Sequence, residues 1–185
     1  MLAYYFCHWH MPNVPAAEYE QRVMDFHAAL AAAPPQGFSL SWSIGLTGSP
    51  WANHGGPSYE DWYIVGDSGD LDPLNEAAVS ASRKTPHDRA AAGTANGSAG
   101  LYRVRLGEMI AAPRFTAWFS KPDGWSYTQL YDQLSPTMAH GGALWQRQMA
   151  LGPGEFCLHS RDAAAFPSGI HAQSVAVRSV FPRRV

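Results

Sequence analysis

The sequence predicts an α+β protein in which a β-α-β-β-α-β unit occurs twice. Three observations carry this prediction: residues 3–80 and 114–180 share one pattern of elements, the predicted strands are apolar on both faces, and the composition is that of a globular chain. Of the 185 residues, 46% are hydrophobic and 15% are charged. Such a composition supports a sizeable core and excludes a mostly disordered chain.

The repeat is one of pattern and has few identical residues. Each copy opens with an apolar run, followed by a proline and then a Tyr-x-Gln motif, at Tyr19 and at Tyr127, that leads into a helix-like segment. In the middle of each copy, residues 37–46 align without a gap on residues 142–151. We therefore expect the same order of strands and helices in both copies.

The elements of the first copy follow from their periodicity. Residues 38–46 alternate large apolar residues with serine and glycine, which predicts a strand. Residues 16–33 carry apolar side chains at spacings of three and four, which predicts an amphipathic helix. A weaker helix is predicted over 70–82 with Asp72 as its N-cap, and a strand over 101–106.

The second copy is predicted to be shorter. Its predicted elements are strands at 114–120, 143–151, 156–161 and 171–181, a helix at 126–139, and a turn or very short helix at 162–169. We therefore divide the chain into a first unit, residues 1–110, with long loops at 48–58 and 82–100, and a second unit, residues 111–185. Together the two units are expected to form one compact barrel.

Strands that are apolar on both faces need cover on both faces. In the first strand, Tyr4 and Phe6 share one face, and Tyr5 and Cys7 share the other. Two such sheets can pack together with helices outside. This arrangement resembles the dimeric α/β-barrel superfamily, whose ferredoxin-like units pair through antiparallel sheets; here the pair would be fused in one chain. The superfamily includes cofactor-independent monooxygenases, haem-dependent enzymes, isomerases and stress-responsive proteins, so the resemblance implies a fold and a cavity and leaves the reaction open.

Histidines gather at one predicted end of the first unit. His8 and His10 close the first strand, His54 lies in the long hairpin loop, and His87 lies in the connection before the low-complexity stretch 90–100. Long loops at one end of a rigid scaffold often carry a site, and the stretch 90–100 is expected to form a mobile lid. These four histidines are weak candidates for metal ligands; the alternatives are hydrogen-bonded strand-end residues or a general base.

Polar side chains also occur at alternate strand positions. These pairs are Arg103 and Arg105, Gln146 and Gln148, His159 and Arg161, and His171 and Gln173. If some of them face the barrel interior, they line a polar pocket beside Trp42, Trp62 and Trp145, which is typical of a small-molecule site. The alternative is that they lie on edge strands and contact water.

Other classes of function have no support in the sequence. The chain contains neither a glycine-rich nucleotide loop nor a Gly-x-Ser-x-Gly elbow, and Cys7 and Cys157 are too few for a disulfide framework. The net charge of −2 gives no reason to expect nucleic acid, and no apolar run is long enough to predict a membrane span. No motif requires a cofactor, although haem or a divalent metal stays open. We expect a cytoplasmic monomer or homodimer.

Two hypotheses about function follow. In the first, the chain is a small-molecule enzyme or binder that uses the barrel cavity, and the resemblance implies a monooxygenase-like reaction. The expected roles are His8 or His10 as base, Arg103 as stabiliser of an enolate oxygen, and Trp42 and Trp62 as walls. Further ligand contacts are expected from His54, His87, Gln146 and Gln148. In the second, the chain is a non-catalytic stress-responsive or oligomerisation protein whose barrel is filled by side chains.

Overall fold

A computed structural model describes residues 1–47, 56–111, 113–139, 141–149 and 154–182. The strands are β1 (Leu2–His10), β2 (Phe38–Thr47), β3 (Pro57–Val65), β4 (Thr94–Gly107), β5 (Phe115–Phe119), β6 (Gly142–Gln148), β7 (Phe156–Ser160), β8 (Gln173–Ala176) and β9 (Arg178–Phe181). The helices are α1 (Ala16–Ala32), α2 (Leu71–Ala78), α3 (Ala81–Gly93) and α4 (Tyr127–Met138), and a 3₁₀ turn at Ser68–Asp70 precedes α2. The protein is therefore of the mixed α+β class that the sequence predicts.

All nine strands form a single antiparallel sheet in the order β8-β5-β7-β6-β4-β1-β3-β2-β9. The strands at its two ends, β8 and β9, are consecutive in the chain and are separated only by Val177. One short segment therefore pairs with β5 on one side and with β2 on the other, which curls the sheet into a nearly closed barrel. Sequence analysis predicts one strand over 171–181; the break at Val177 is what lets this segment serve both ends.

The two halves of the sheet meet where β4 pairs with β6, from Leu101 opposite Gln148 to Gly107 opposite Ala143. At this junction Gly107 has a φ of +74°, and an added Cβ would lie 2.1 Å from the carbonyl oxygen of Gly142. Only glycine fits such a position without strain. Instead of two separate sheets packed against each other, the halves are hydrogen-bonded into one sheet.

The two faces of β1 are both covered, as its sequence predicts. Tyr5 and Cys7 point into the barrel interior and are fully buried. On the outer face, Tyr4, Phe6 and His8 lie beneath the helices of the first half. Because neighbouring strand residues point to opposite faces, the polar and the aromatic residues of β1 serve two different environments.

The barrel interior is packed with aromatic rings. Trp42, Trp62 and Trp145 each have no exposed surface, and their ring centroids lie 5.2 to 6.4 Å apart. Tyr5 and Tyr102 fill the space next to Trp62. Trp42 and Trp62, expected as the walls of a ligand pocket, are core residues of the barrel.

The predicted loop at 82–100 is wrong. Residues 81–93 form α3 and residues 94–107 form β4, so this stretch provides a helix and a central strand and does not form a lid. Alanine-rich residues 90–92 favour a helix despite their low complexity. The small residues that follow are needed because Phe6 crosses over Gly97, where an added Cβ would lie 2.5 Å from the phenylalanine ring.

The remaining helices differ from prediction only in detail. Helix α2 has Asp70 as its N-cap, two residues before the predicted Asp72. In the second half, Ser126 and Gln129 form a capping box that starts α4, and the described residues between β7 and β8 contain no helix. Within the described ranges, none of the helices combines the length and apolar character needed to cross a bilayer.

Candidate functional site

A cavity of about 790 Å³ lies between the outer face of the first half of the sheet and helices α1, α2 and α3. Its volume is in the range of small-molecule sites. Aromatic and aliphatic side chains make up most of its wall, among them Tyr4, Phe6, Phe26, Tyr63, Leu74 and Leu101. Sequence analysis places the site inside the barrel; this cavity lies on the opposite face of the sheet.

The polar part of this cavity is acidic. Asp61 and Asp72 line it together with His8 and His87, and no lysine or arginine is among the described residues of its wall. An anionic ligand would therefore meet no fixed positive charge beyond a protonated imidazole. The wall suits a neutral or cationic molecule with an apolar body.

Asp61 is the centre of the polar cluster. Its Oδ2 accepts a hydrogen bond from the Tyr63 hydroxyl at 2.9 Å. The same oxygen lies 3.1 Å from His8 Nε2 and 3.4 Å from His27 Nε2, at angles outside hydrogen-bond geometry. All four side chains are almost completely buried, so one carboxylate balances two imidazoles away from water.

Burial alone would raise the pKa of Asp61, since it penalises the carboxylate. The positive charges that His8 and His27 carry when they are protonated, together with their close contacts, outweigh that effect and hold the pKa of Asp61 well below its usual range. Asp61 is therefore a carboxylate at neutral pH and a poor proton acceptor. A carboxylate in this position stabilises positive charge on a neighbouring imidazole.

A chain of hydroxyl groups continues from the other nitrogen of His8. His8 Nδ1 lies 2.6 Å from the Tyr19 hydroxyl, which lies 2.7 Å from Thr94 Oγ1. The Thr94 hydroxyl is also 3.0 Å from the Ala90 carbonyl oxygen, which it can reach as a donor. Thr94 has one proton to give, so it donates either to Tyr19 or to Ala90. Tyr19 and Thr94 both line the cavity, which brings this chain to its surface.

The two arrangements differ in the charge of His8. When Thr94 donates to Tyr19, the tyrosine donates to His8 Nδ1, and a neutral His8 keeps its proton on Nε2 toward Asp61. When Thr94 donates to Ala90, Tyr19 donates to Thr94 and His8 must carry protons on both nitrogens. The cluster is thus built to accommodate an imidazole and an imidazolium without moving heavy atoms.

Sequence reasoning finds His8 and misses its partners Asp61, His27 and Tyr19. Asp61 and the preceding Glu60 lie within a run of aromatic strand residues, and two carboxylates in such a run are a signal of buried polar function. His27 is on α1 and is fully buried, with Nδ1 2.7 Å from Ser41 Oγ. A histidine on the apolar face of a predicted helix was the available signal for that residue.

The other predicted histidines have different outcomes. His87 lines the same cavity as His8; its Nδ1 lies 3.2 Å from Asp88 Oδ1, and its ring packs edge-on against Phe26. His10 contacts the Met11 carbonyl oxygen through Nδ1 at 2.9 Å and is not among the described residues of the cavity wall. His54 lies outside the described residues.

Arg103 cannot act beside His8. It is exposed on β4 opposite Leu2, and Leu2 and His8 are six residues apart on β1. Six residues of strand span about 20 Å. Trp42 and Trp62 are also kept apart from His8, because they point into the barrel on the other face of the sheet.

Gln146 and Gln148 belong to the second half of the sheet. Gln146 Oε1 accepts hydrogen bonds from Arg105 Nε at 2.6 Å and from the Tyr131 hydroxyl at 3.2 Å. Gln148 Nε2 donates to the backbone carbonyl oxygens of Gln146 and Arg147. Neither residue is part of the described wall of the cavity around His8.

The cofactors left open by the sequence find little support in this cavity. Among the described residues, no three His, Cys, Asp or Glu side chains are arranged to hold a metal ion. Haem carries two propionates, and the described cavity wall contains no lysine or arginine to pair with them. His8 and His27 also both face Asp61 through Nε2, the nitrogen expected to bind iron. The residues present do not fit haem.

No protein-family model matches this sequence, and no curated protein matches it. Solved structures share its fold over nearly its whole length. A proposed monooxygenase from Lactobacillus acidophilus NCFM is 12% identical with a TM-score of 0.62, and the match covers 97% of this chain and 94% of that one. An anthrone oxidase-like protein is 14% identical with a TM-score of 0.52, and the match covers 97% of this chain and 93% of that one. A proposed chlorite dismutase is 9% identical with a TM-score of 0.50, and the match covers 97% of this chain and 95% of that one. The chain therefore shares the α+β barrel fold of these structures.

Proposed function

We propose that this chain is a small-molecule oxidoreductase of the monooxygenase-like type, acting on a neutral aromatic substrate in the cavity between the sheet and α1–α3. The observation that carries this proposal is the Tyr19–His8–Asp61 chain in the wall of an aromatic cavity without fixed cations. The fold shared with a proposed monooxygenase and an anthrone oxidase-like protein supports the reaction class.

The residues of the chain carry out a proton transfer. A phenol or an enolisable C–H of the substrate gives its proton to the Tyr19 oxygen, while Tyr19 passes its own proton to His8 Nδ1. Thr94 releases Tyr19 by turning its hydroxyl to the Ala90 carbonyl oxygen. Burial raises the pKa of Tyr19, so the tyrosine conducts the proton and does not lose it on its own.

Asp61 stabilises the product of this transfer. The imidazolium formed on His8 faces the Asp61 carboxylate at 3.1 Å in a buried site, where charge interactions are stronger than in water. His27 and Tyr63 hold the same carboxylate in place. The His8 imidazolium is the countercharge of the substrate anion, and the apolar wall of the cavity holds its aromatic ring.

The deprotonated aromatic substrate supplies the electrons, and dioxygen is the oxidant. For an activated methylene, the balanced reaction is CH₂ + O₂ → C=O + H₂O, in which the carbon loses four electrons and one oxygen atom leaves as water. His8 returns its proton to the oxygen that departs. The residues described here hold the substrate, accept a proton and return it.

Anthrone and dioxygen provide the test. We expect the protein to consume one dioxygen per anthrone and to form anthraquinone, measured with an oxygen electrode and by absorbance. Tyr19→Phe and His8→Gln should each lower kcat by about 10²-fold or more, because general base catalysis typically contributes that much. Tyr127→Phe is the matched control: this tyrosine is on α4, is half exposed and donates to Glu155.

Two results would overturn the proposal. One is turnover that is unchanged in Tyr19→Phe and His8→Gln although both variants fold, as judged by near-UV circular dichroism. The other is absence of anthrone turnover by the wild-type protein, whether or not it binds anthrone. Binding without turnover would remove the oxidoreductase function and leave a binding protein.

We also propose that residues 1–110 and 111–185 are two ferredoxin-like units produced by tandem duplication. The support is the strand order, which is β4-β1-β3-β2 in the first half and β8-β5-β7-β6 in the second. A protease site inserted after Ile110 tests the division. We expect the nicked chain to elute as one particle, because β4–β6 and β2–β9 pair across the cut. Unfolding after cleavage would argue against two units.

A further inference from the structure

Glu60 is a carboxylate that the proposed proton transfer does not use. It precedes Asp61 on β3, so its side chain points to the opposite face of the sheet, into the barrel interior. It has no exposed surface. Burying a carboxylate among aromatic rings is costly, and an apolar side chain would fill the same space at a lower cost.

The contacts of Glu60 are uneven. Its Oε1 accepts hydrogen bonds from the Tyr5 hydroxyl at 3.2 Å and from Trp118 Nε1 at 3.0 Å. Its Oε2 is buried and has no hydrogen-bond partner among the described residues. Tyr5 is on β1 and Trp118 is on β5, so the carboxylate joins the two halves of the barrel while keeping one oxygen free.

Tyr5 lies at the centre of a continuous set of rings. Its ring centroid is 5.0 Å from Trp62, 5.2 Å from Trp118 and 5.6 Å from Tyr102. Trp62 continues the contact to Trp145 at 5.2 Å, with a second contact to Trp42 at 5.9 Å. Electron transfer between aromatic rings in contact is easy, because no saturated carbon atoms lie between them.

We propose that Tyr5, hydrogen-bonded to Glu60, is a redox-active tyrosine that gives up an electron through the surrounding indoles and its proton to Glu60. The step is balanced: the one-electron oxidant gains one electron, the Tyr5 hydroxyl becomes a neutral oxygen radical, and the hydroxyl proton passes to the Glu60 carboxylate. The oxidant is an oxygen-derived radical or any one-electron acceptor able to oxidise an indole. The use of Tyr5 oxidation to the protein rests on the proposed function. The oxygen chemistry proposed there takes place beside Asp61, which is the neighbour of Glu60 on β3.

Tyr102 is the internal comparison. It is equally buried and contacts Tyr5, Trp62 and Trp118, but its hydroxyl donates to the Gly154 carbonyl oxygen at 2.9 Å. A backbone carbonyl does not take a proton, so a Tyr102 radical would have to form as a cation. Of these two tyrosines in the barrel interior, Tyr5 faces a carboxylate and can lose its electron and proton together, whereas Tyr102 cannot.

The charge state of Glu60 then controls the reaction. Burial raises the pKa of Glu60 to about 7, and the hydrogen bonds from Trp118 and Tyr5 limit the rise. The other titratable groups around it are Tyr5 and Cys7 on β1, Tyr102 on β4 and Cys157 on β7, and His159 on β7 packs against the neighbouring Trp62 ring. Burial raises the pKa of Cys157 and lowers that of His159 to about 3, so both stay neutral while Glu60 titrates.

The test uses a photogenerated oxidant and the full chain. Ruthenium tris-bipyridine with persulfate oxidises the protein in a flash, and freeze-quenched electron paramagnetic resonance detects tyrosyl radicals. At pH 8 we expect a tyrosyl signal that is largely lost in Tyr5→Phe and retained in Tyr102→Phe. In the wild type, lowering the pH from 8 to 6 should reduce the signal about tenfold, because a group of pKa about 7 is ionised to about nine-tenths at pH 8 and one-tenth at pH 6.

At pH 8, Glu60→Gln should lose the tyrosyl signal to the same extent as the wild type does at pH 6. The proposal is overturned if the signal survives Tyr5→Phe, if it is lost in Tyr102→Phe instead, or if the wild-type signal does not change between pH 6 and pH 8. The pH comparison needs no variant, so a misfolded Tyr5→Phe does not leave the question open. Because the oxidant is external, a failure here is distinct from a failure of anthrone turnover.

Discussion

Replacing the buried carboxylate of Glu60 should change how the stability of this protein depends on pH. In the folded protein the pKa of Glu60 is raised from 4.5 to about 7. Between these values the folded state binds more protons than the unfolded state, so the free energy of unfolding falls as pH rises. Below about pH 4.5 Glu60 is neutral in both states, and above about pH 7 the full penalty for the buried charge is present.

The size of this effect follows from the shift. A change of about 2.5 pKa units at 1.36 kcal/mol each is about 3 kcal/mol of stability lost between pH 4 and pH 8. His159 acts in the opposite direction, because burial lowers its pKa from 6.5 to about 3 and stability is gained as pH rises through that window. In the wild type the effects of Glu60 and His159 on the free energy of unfolding largely cancel between pH 4.5 and pH 6.5.

Glu60→Gln removes one of these two opposing effects. The amide oxygen can still accept from Tyr5 and Trp118, and any fixed change from the amide cancels when one variant is compared at two pH values. We expect the variant, relative to wild type, to gain about 3 kcal/mol in the free energy of unfolding between pH 4 and pH 8, measured by urea denaturation. The matched control Glu76→Gln, at an exposed position on α2, should follow the wild type. If Glu60→Gln tracked the wild type at every pH, the burial argument would be refuted.

Three further predictions concern the site and the fold. Asp61→Asn should lower the free energy of unfolding by about 3–5 kcal/mol at pH 7, because it leaves two buried imidazoles without their carboxylate, and the urea midpoint would contradict this if it stayed near wild type. As the pH falls below about 4, Asp61→Asn should lose less stability than the wild type. The reason is that a carboxylate whose pKa is lowered by folding gives its full stabilisation only above its pKa in the unfolded chain. Gly107→Ala should unfold at a clearly lower temperature than Gly124→Ala, because both have φ near +75° but only Gly107 faces a carbonyl oxygen; equal melting temperatures would refute the close approach between the halves. Ala91→Trp should weaken binding of the neutral dye Nile red at least tenfold by filling the cavity, whereas Ala92→Trp, next to it but not in the described cavity wall, should not. Equal fluorescence titrations would place the dye elsewhere.

The order of elements could be predicted because it depends on local patterns. Residues 38–46 alternate with period two and form β2, and residues 16–33 carry apolar side chains at helical spacing and form α1. The stretch 82–100 was predicted wrongly because its composition resembles a loop. Its alanines serve a helix, and its small strand residues serve a close approach, seen where Phe6 crosses Gly97. That contact is tertiary and leaves no local pattern.

The site could be predicted only in part for a related reason. Alternation separates His8 from Trp9, but both faces of β1 are apolar, so the sequence does not tell which face lies inside the barrel. Trp42 and Trp62 were therefore assigned to the same pocket as His8, although they point to the opposite face. The role of Asp61 could not be predicted, because its partners His8 and His27 are far from it in the sequence.

A crystal structure with anthraquinone bound tests the central claim most directly. The account predicts the ligand between α1–α3 and the outer face of the sheet, with a ligand oxygen within hydrogen-bond distance of the Tyr19 hydroxyl and with Trp42 and Trp62 unmoved. Anthraquinone seated in the barrel interior, or an outer cavity without ligand in crystals that bind anthraquinone elsewhere, would contradict it.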